Sequence, residues 1–132
     1  MSDNRLKTGV RGEKNVAVTA ENTAAALGSG FLPVFATPAM IALMELCAAE
    51  SVEDFLADGQ STVGTRIDVK HLSATPVGLT VRCETELVEI DRRRLVFACK
   101  AFDDTGLIGE GMQERFIVDN EKFMDKAGQK KA

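Results

Sequence analysis

The chain has 132 residues, of which 45% are hydrophobic and 27% charged, and its net charge is −4. This length fits a single domain over residues 1–132 that buries a core without disulfides, and the acidic balance argues against nucleic-acid binding. The most apolar region, residues 31–49, is interrupted by Pro33, Pro38 and Glu45, and the start MSDNRLK lacks the apolar core of a signal peptide. We therefore expect no membrane association.

Three cysteines, Cys47, Cys83 and Cys99, are widely spaced in the sequence, and none belongs to a C-x-x-C pattern. An odd number of dispersed cysteines is not typical of a disulfide framework or of a zinc site. We therefore expect no bound metal, and a reducing, cytoplasmic location.

The first predicted elements are a strand and a long helix. Residues 7–20 contain the alternating Val16 and Val18 and can form a first strand, which the connection ENTAAALGSGF follows. Thr37 is predicted as the N-cap of a helix with Pro38 at its first position, and the helix can extend to about Leu56. Residues 38–44 carry no polar side chain, so this helix should lie in the core or at an interface.

Alternating patterns after residue 59 predict four further strands, joined by turns at TPVG, DRR and DDTG. Their predicted apolar faces carry Val63, Thr65, Ile67, Val69 and His71; Leu79, Val81, Cys83, Thr85 and Leu87; Leu95, Phe97, Cys99 and Ala101; and Ile108, Met112, Phe116 and Val118. Residues 120–132 are polar and are expected to fray. One long helix and about five strands predict an α+β domain in which a curved antiparallel sheet wraps the helix.

Two polar residues lie where the pattern predicts burial. Glu45 is on the apolar helix, where burying a charge destabilises the fold. We expect that partners such as His71 offset this cost and that a functional role explains why the charge is there. Glu45 could instead face solvent, and His71, in phase with its strand's apolar face, could be a hydrogen-bonded core histidine. With Thr37 they supply the parts of a hydrolytic site: a base or nucleophile, a proton shuttle and a donor to oxyanion charge.

The spacing of Thr37 and Glu45 allows both side chains to contribute to one site. They are 45 − 37 = 8 positions apart, about 12 Å along a helix. Because helical side chains lean toward the N-terminus, the Glu45 carboxyl leans back toward Thr37. A thioester-sized group fits between them.

Three segments, ATPAMIALMELCA, STVGTRIDVKHLSATPVG and GEGMQERFIVD, resemble hot-dog-fold acyl-CoA thioesterases of the fluoroacetyl-CoA thioesterase type. The resemblance extends from about Thr8 to Asp119. It implies a hot-dog fold, a dimer in which two sheets join edge to edge, and acyl-CoA sites at the dimer interface. The implied activity is hydrolysis of an acyl-CoA thioester to the acid and free CoA, with no cofactor besides the CoA of the substrate.

The resemblance also implies roles for individual residues. Thr37, Glu45 and His71 match the catalytic threonine, glutamate and histidine of the family. Gly64 matches a backbone position beside the thioester, and Arg115 falls where the fluoroacetyl enzyme has an arginine near its acyl pocket. Whether Glu45 attacks the carbonyl to form an anhydride or activates water is open at this point.

The segment ahead of the helix differs from that of the fluoroacetyl enzyme, which closes its acyl pocket with aromatic residues. This chain has AAALG at residues 24–28, and only Phe31 and Phe35 are aromatic in the segment. We therefore expect a short or medium acyl group, aromatic groups included.

The arginine run at residues 92–94 is expected to be a solvated hairpin tip; alternatively, Arg92 and Arg93 bind the CoA phosphates.

Two other functional classes would also bind acyl-CoA and are alternatives to hydrolysis. A hot-dog acyl-CoA hydratase or dehydratase would act on an acyl-CoA double bond, and a non-catalytic protein would bind acyl-CoA without turnover. Release of free CoA discriminates hydrolysis from both. We expect a homodimer, with a tetramer as a further association, because the apolar helix and the strand edges exceed what one small layer covers.

Overall fold

The computed structural model describes residues 5–131 of the chain. The strands are β1 (Arg11–Ala17), β2 (Gln60–His71), β3 (Thr80–Asp91), β4 (Arg94–Asp103) and β5 (Gly106–Asp119), and the helices are α1 (Ala24–Leu27), α2 (Thr37–Val52) and α3 (Asn120–Gly128). The strands form one antiparallel sheet in the order β1-β3-β4-β5-β2, so β1 and β2 are its edges. The predicted α+β class is confirmed. No helix among residues 5–131 is long and apolar enough to cross a membrane.

Helix α2 packs against one face of this sheet and forms the core with it. The buried residues of α2 are Met40, Leu43, Met44, Cys47, Ala48 and Val52. The predicted apolar faces of β3 and β4 are confirmed from Val81 onward, since Val81, Cys83, Thr85, Leu87, Leu95, Phe97, Cys99 and Ala101 are all buried. Leu79, also assigned to this face, is half-buried and precedes β3. Each large apolar side chain buried in this way stabilises the fold by roughly 1.5–3 kcal/mol.

The start of α2 differs from the prediction by one residue. Ala36, not Thr37, is the N-cap, and it makes no side-chain capping bond. The chain stays extended up to Ala36 because the amides of Phe35 and Ala36 donate to the carbonyls of Thr75 and Asn22 at 2.8 and 3.0 Å. The hydroxyl of Thr37 is thereby released from capping and is available for another contact.

A bulge in β2 makes part of its predicted face wrong. Gly64 pairs with Arg115 and Arg66 pairs with Glu114, so Thr65 has no partner across the ladder. Alternation restarts after a bulge, because one extra residue turns the following side chains to the other face. Thr65 is therefore exposed, whereas Ile67 and His71 remain half-buried as predicted.

The predicted face of β5 is wrong in its middle. Met112 and Phe116 are exposed, whereas Gln113 and Arg115 are buried. A polar side chain is stable in a core when its donors and acceptors are paired, and both Gln113 and Arg115 have such partners. Ile108, near the start of the strand, is buried as predicted.

The polar tail also departs from the prediction. Asn120–Gly128 forms α3, and a 3₁₀ turn follows at Gln129–Lys131, while Ala132 lies outside the described residues. The amide of Asn120 donates to the carbonyl of Gly59 at 2.8 Å, which anchors the start of the helix beside β2. None of the α3 residues is buried.

Gly12 of β1 lies under the last turn of α2, and replacing it tests this contact. A Cβ at Gly12 would lie 2.8 Å from Cβ of Ser51 and 2.9 Å from Oγ1 of Thr85. We predict that Gly12→Ala lowers the free energy of unfolding by about 1–3 kcal/mol, because the helix must move away from the sheet. Thermal and urea unfolding measure this change. Gly128→Ala is the control, since a Cβ there meets no atom within 4 Å; equal stability of the two variants would contradict the prediction.

Candidate active site

The first turn of α2 meets the end of β2 through Thr37 and His71. Oγ1 of Thr37 lies 2.7 Å from Nδ1 of His71, within hydrogen-bond distance. Nε2 of His71 is buried and has no hydrogen-bond partner among residues 5–131. Burial lowers the pKa of His71, and a hydrogen bond with the backbone of Ser73 acts in the opposite direction. The imidazole is therefore neutral near pH 7, with one nitrogen able to accept a proton.

Two turns further along α2, Glu45 faces a buried cation on β5. Oε2 of Glu45 lies 3.5 Å from Nη1 of Arg115, and the side chains are 37% and 7% exposed respectively. Burial lowers the pKa of Arg115, and the carboxylate of Glu45 opposes that change. Arg115, and not His71 as expected, therefore compensates the charge of Glu45. The apolar pattern of the helix could not reveal this partner, because Arg115 lies on a strand that is distant along the chain.

Gly64 provides the space in which the Glu45 carboxylate lies. It is the residue of β2 just before the bulge and pairs with Arg115 of β5. A Cβ at Gly64 would overlap Oε2 of Glu45 and would lie 3.4 Å from Nη1 of Arg115. The glycine therefore permits the close approach of the helix side chain to the strand backbone.

A cleft of about 280 Å³ opens beside Thr37 and His71. Its walls include Phe35, Leu72 and Ala24. The two predicted substrate-binding aromatics are placed differently: Phe35 is buried in the cleft wall, whereas Phe31 is 97% exposed and projects into solvent.

The arginine tip is at the opposite end of the sheet from the cleft. Arg92 is exposed at the turn between β3 and β4 with φ = 58°, and Nη1 of Arg93 lies 3.4 Å from Oδ2 of Asp119. On β5, Gly109 pairs with His71 and Phe116 pairs with Arg94. These positions are 116 − 109 = 7 residues apart, or about 23 Å along a strand. Within one chain, the tip and the cleft are therefore not brought together.

Two residues of the site were missed from the sequence. Thr62 accepts from Nε of Arg115 at 2.8 Å, and Gln113 accepts from Nη1 of Arg115 at 3.4 Å. The available signal was the spacing of Gln113 and Arg115, because two polar residues at i and i+2 share one strand face. The predicted apolar face of β5 assigned that face to solvent.

The cysteines lie in the core behind this site. Cys47, Cys83 and Cys99 are buried free thiols. In the described part of the chain, no three His, Cys, Asp or Glu side chains are grouped so that they could hold a metal ion.

The fold, and the polar contacts that Thr37 and Glu45 of α2 make with the sheet, define the class of this protein. A hot-dog-like protein from Thermanaerovibrio acidaminovorans superposes with a TM-score of 0.84 at 23% identity, covering 93% of this chain and 91% of that one. A thioesterase superfamily member from Thermus thermophilus superposes with a TM-score of 0.87 at 27% identity, covering 95% and 93%. The protein is a hot-dog-fold thioesterase.

The family within this class follows from closer relatives. A family model described as fluoroacetyl-CoA-specific thioesterase matches residues 18–121. The fluoroacetyl-CoA thioesterase of Streptantibioticus cattleyicolor is 41% identical over 100 residues, which are 76% of this chain and 72% of that protein. A structure of the fluoroacetyl-CoA thioesterase FlK superposes with a TM-score of 0.90 at 35% identity, covering 95% and 97% of the two chains. The chain belongs to the fluoroacetyl-CoA-specific thioesterase family, and the resemblance inferred from its motifs is confirmed.

Gly64→Ala tests whether the position of the Glu45 carboxylate matters for turnover. We predict that kcat for acyl-CoA hydrolysis falls on the order of 100-fold, because the new methyl group displaces the carboxylate by about 1 Å or more. Release of free thiol measures kcat, and circular dichroism confirms that the variant is folded. Gly12→Ala is a matched control that pushes a methyl group against the same helix away from Glu45. Unchanged kcat in folded Gly64→Ala would contradict the prediction.

Proposed function

We propose that this protein hydrolyses short or medium acyl-CoA thioesters, with Thr37, Glu45 and His71 as its catalytic residues. The observation that carries the assignment is the 2.7 Å contact between Thr37 and His71 at the open cleft. The hydroxyl of such a pair can donate a hydrogen bond to a carbonyl oxygen, and the imidazole can accept and transfer a proton. The Glu45 carboxylate lies on the same helix, leaning toward this end.

Thr37 and His71 act on the oxygen and the sulfur of the thioester. Thr37 is in the first turn of α2, where free backbone amides and the helix dipole favour negative charge. Its hydroxyl donates to the carbonyl oxygen as that oxygen gains charge in the tetrahedral intermediate. His71, which is neutral in the free protein, first accepts a proton from water and then transfers it to the departing CoA sulfur, so that CoA leaves as a neutral thiol.

Glu45 supplies the carboxylate that starts the reaction. In one route its oxygen attacks the carbonyl carbon, the carbon–sulfur bond breaks, and water then hydrolyses the mixed anhydride. In the other route the carboxylate takes a proton from water, and the water oxygen attacks the carbon directly. In both routes the carboxylate faces the buried Arg115 at 3.5 Å. A single turnover in H₂¹⁸O that leaves ¹⁸O on Glu45 identifies the first route, because the label reaches this residue only when water attacks the Glu45 carbonyl of the anhydride.

The cleft supports an acyl group of short or medium length. Its volume of about 280 Å³ and its apolar walls, which include Val34, Phe35 and Leu72, suit a small acyl chain beside Thr37. Solved structures of FlK include a threonine-to-serine variant with acetyl-CoA and a phenylalanine-to-alanine variant with fluoroacetate and CoA. Acetyl-CoA and fluoroacetyl-CoA are therefore the first substrates to test on this protein, followed by longer and aromatic acyl-CoAs.

We assign the reaction to the cytoplasm, with water as the only co-reactant and no cofactor beyond the CoA of the substrate. The buried free thiols of Cys47, Cys83 and Cys99 support a reducing compartment. Hydrolysis of a thioester exchanges a carbon–sulfur bond for a carbon–oxygen bond without a change in redox state.

The working form that we propose is a homodimer joined along the β2 edges. Leu46 of α2 is 49% exposed beside this edge. A second cleft of about 260 Å³ lies between α2 and the start of β2, lined in part by Leu46, Ala49 and Leu56. The other edge, β1, carries Arg11 and Lys14, which form ion pairs within the chain and oppose pairing with a further strand.

Such a dimer would bring the arginine tip of one subunit toward the cleft of the other. Edge strands related by a two-fold axis are antiparallel, so the Gln60 end of one β2 lies beside the His71 end of its neighbour. The partner subunit's Arg92 and Arg93 would then be about 15 Å across the joined sheet from His71, since β4, β5 and the two β2 strands are spaced by about 4.8 Å. That distance suits a CoA diphosphate.

Glu45→Gln tests the proposed mechanism. We predict that kcat falls on the order of 100-fold or more, whereas the melting temperature stays close to that of the wild type because the amide oxygen still accepts from Arg115. Free-thiol release over a panel of acyl-CoAs measures kcat. Glu50→Gln is the matched control, since Glu50 is on the same helix and pairs with Lys14 at 3.0 Å.

Three results would contradict the proposed function or its mechanism. Near-wild-type turnover by Glu45→Gln would remove Glu45 from the mechanism. Wild-type protein that binds acyl-CoA without releasing CoA would be a binding protein. Consumption of an enoyl-CoA without thiol release would identify a hydratase.

The dimer is tested by mass in solution. We predict that light scattering gives twice the subunit mass of 14.2 kDa at micromolar concentration, and that Leu46→Glu gives monomers with little activity. Val88→Glu is the control, because Val88 is exposed on β3, which β4 and β5 separate from the β2 edge. A monomeric wild type would contradict the interface, and a mass of four subunits would show a tetramer.

A further inference from the structure

Gln113 of β5 is a buried polar side chain whose two ends both bond to parts of the Glu45 site. It is 1% exposed. Its Nε2 donates to the carbonyl of Met44 at 2.9 Å and lies 3.1 Å from Sγ of Cys99. Its Oε1 accepts from Nη1 of Arg115 at 3.4 Å. The amide therefore connects the helix backbone, one residue before Glu45, to the cation that faces Glu45.

Packing alone does not account for this residue. Burying an amide costs free energy that its hydrogen bonds must offset, whereas leucine or methionine would fill the same volume without that cost. The bond to Met44 is made in the middle of α2, where the carbonyl uses its second lone pair. What glutamine adds to an apolar side chain here is a defined orientation of the groups at both of its ends.

Arg115 is held from the other side by Thr62. Nε donates to Oγ1 of Thr62 at 2.8 Å, and Nη2 donates to the backbone carbonyl of Thr62 at 3.0 Å. Nη1 is then shared between Gln113 and Glu45 at 3.4 and 3.5 Å. The guanidinium therefore faces the carboxylate without closing on it as a tight, doubly bonded ion pair.

We propose that Gln113 is a positioning residue for hydrolysis: it holds Nη1 of Arg115 and the Met44 turn of α2, so that the Glu45 carboxylate is only loosely paired. A carboxylate in a tight ion pair is a weaker nucleophile and a weaker base, because the cation stabilises the charge that must be given up in the reaction. The inference rests on the proposed function, since it has meaning only if Glu45 takes part in the chemistry.

Gln113→Leu is the decisive variant because it keeps the volume and removes both bonds. Without the acceptor at Gln113, Nη1 turns toward Glu45 and pairs with it more closely. We expect kcat to fall about tenfold while KM changes by less than about twofold.

Gln113→Glu keeps an acceptor for Nη1 of Arg115 and removes only the donor to Met44, so its kcat should lie between those of the wild type and Gln113→Leu. Thr85→Val is the matched control for a lost buried hydrogen bond, since Oγ1 of Thr85 lies 3.5 Å from Sγ of Cys47 in the core. It should lower the melting temperature without changing kcat or KM.

The measurements are thiol release over a range of acyl-CoA concentrations, which gives kcat and KM, and thermal unfolding of each variant. A folded Gln113→Leu with wild-type kcat would overturn the inference and show a structural role only. If Gln113→Leu does not fold, the kcat of Gln113→Glu decides by the same criterion. The proposed function fails separately, through near-wild-type turnover by Glu45→Gln.

Discussion

The contact between Glu45 and Arg115 is the constraint on which the rest of the site depends. A carboxylate on a mostly apolar stretch of helix needs a countercharge and space, and both come from the sheet. Arg115 supplies the charge from β5, and Gly64 supplies the space from β2. Because these strands are neighbours, one local arrangement satisfies both needs. The helix can then carry the Glu45 charge without burying it completely.

The same helix carries a second polar contact at its start, where the physics differs. Thr37 and His71 are neutral, and their hydrogen bond needs no countercharge. It depends on where α2 begins, which the extended backbone up to Ala36 determines. Helix α2 thus carries a charged group held by the sheet and, two turns earlier, a neutral contact held by the helix start. This division suits a reaction in which a carboxylate begins the attack and neutral donors receive the charge that develops.

The bulge of β2 connects the two contacts. Before it, Thr62 and Gly64 face Arg115 and Glu45; after it, Ile67 and His71 lie on the inner side of the strand. Without the extra residue, Gly64 and His71 could not both face α2, since residues alternate between the two faces of a strand with a period of two. One irregularity in an edge strand therefore allows a single strand to serve both ends of the site.

The sequence by itself determined the α+β class, the long apolar helix, the strands β3 and β4 with their buried faces, and the family, because these depend on local periodicity and on motifs. Only the tertiary structure decided which partner compensates Glu45, which face of β5 is buried, where the bulge lies, and that residues 120–131 are helical. Gln113 and Arg115 look like solvent-facing residues in a one-dimensional pattern. Their burial depends on Thr62, Met44 and Glu45, which are distant along the chain. The i, i+2 spacing of the two residues shows that they share a strand face, but not that this face is the buried one.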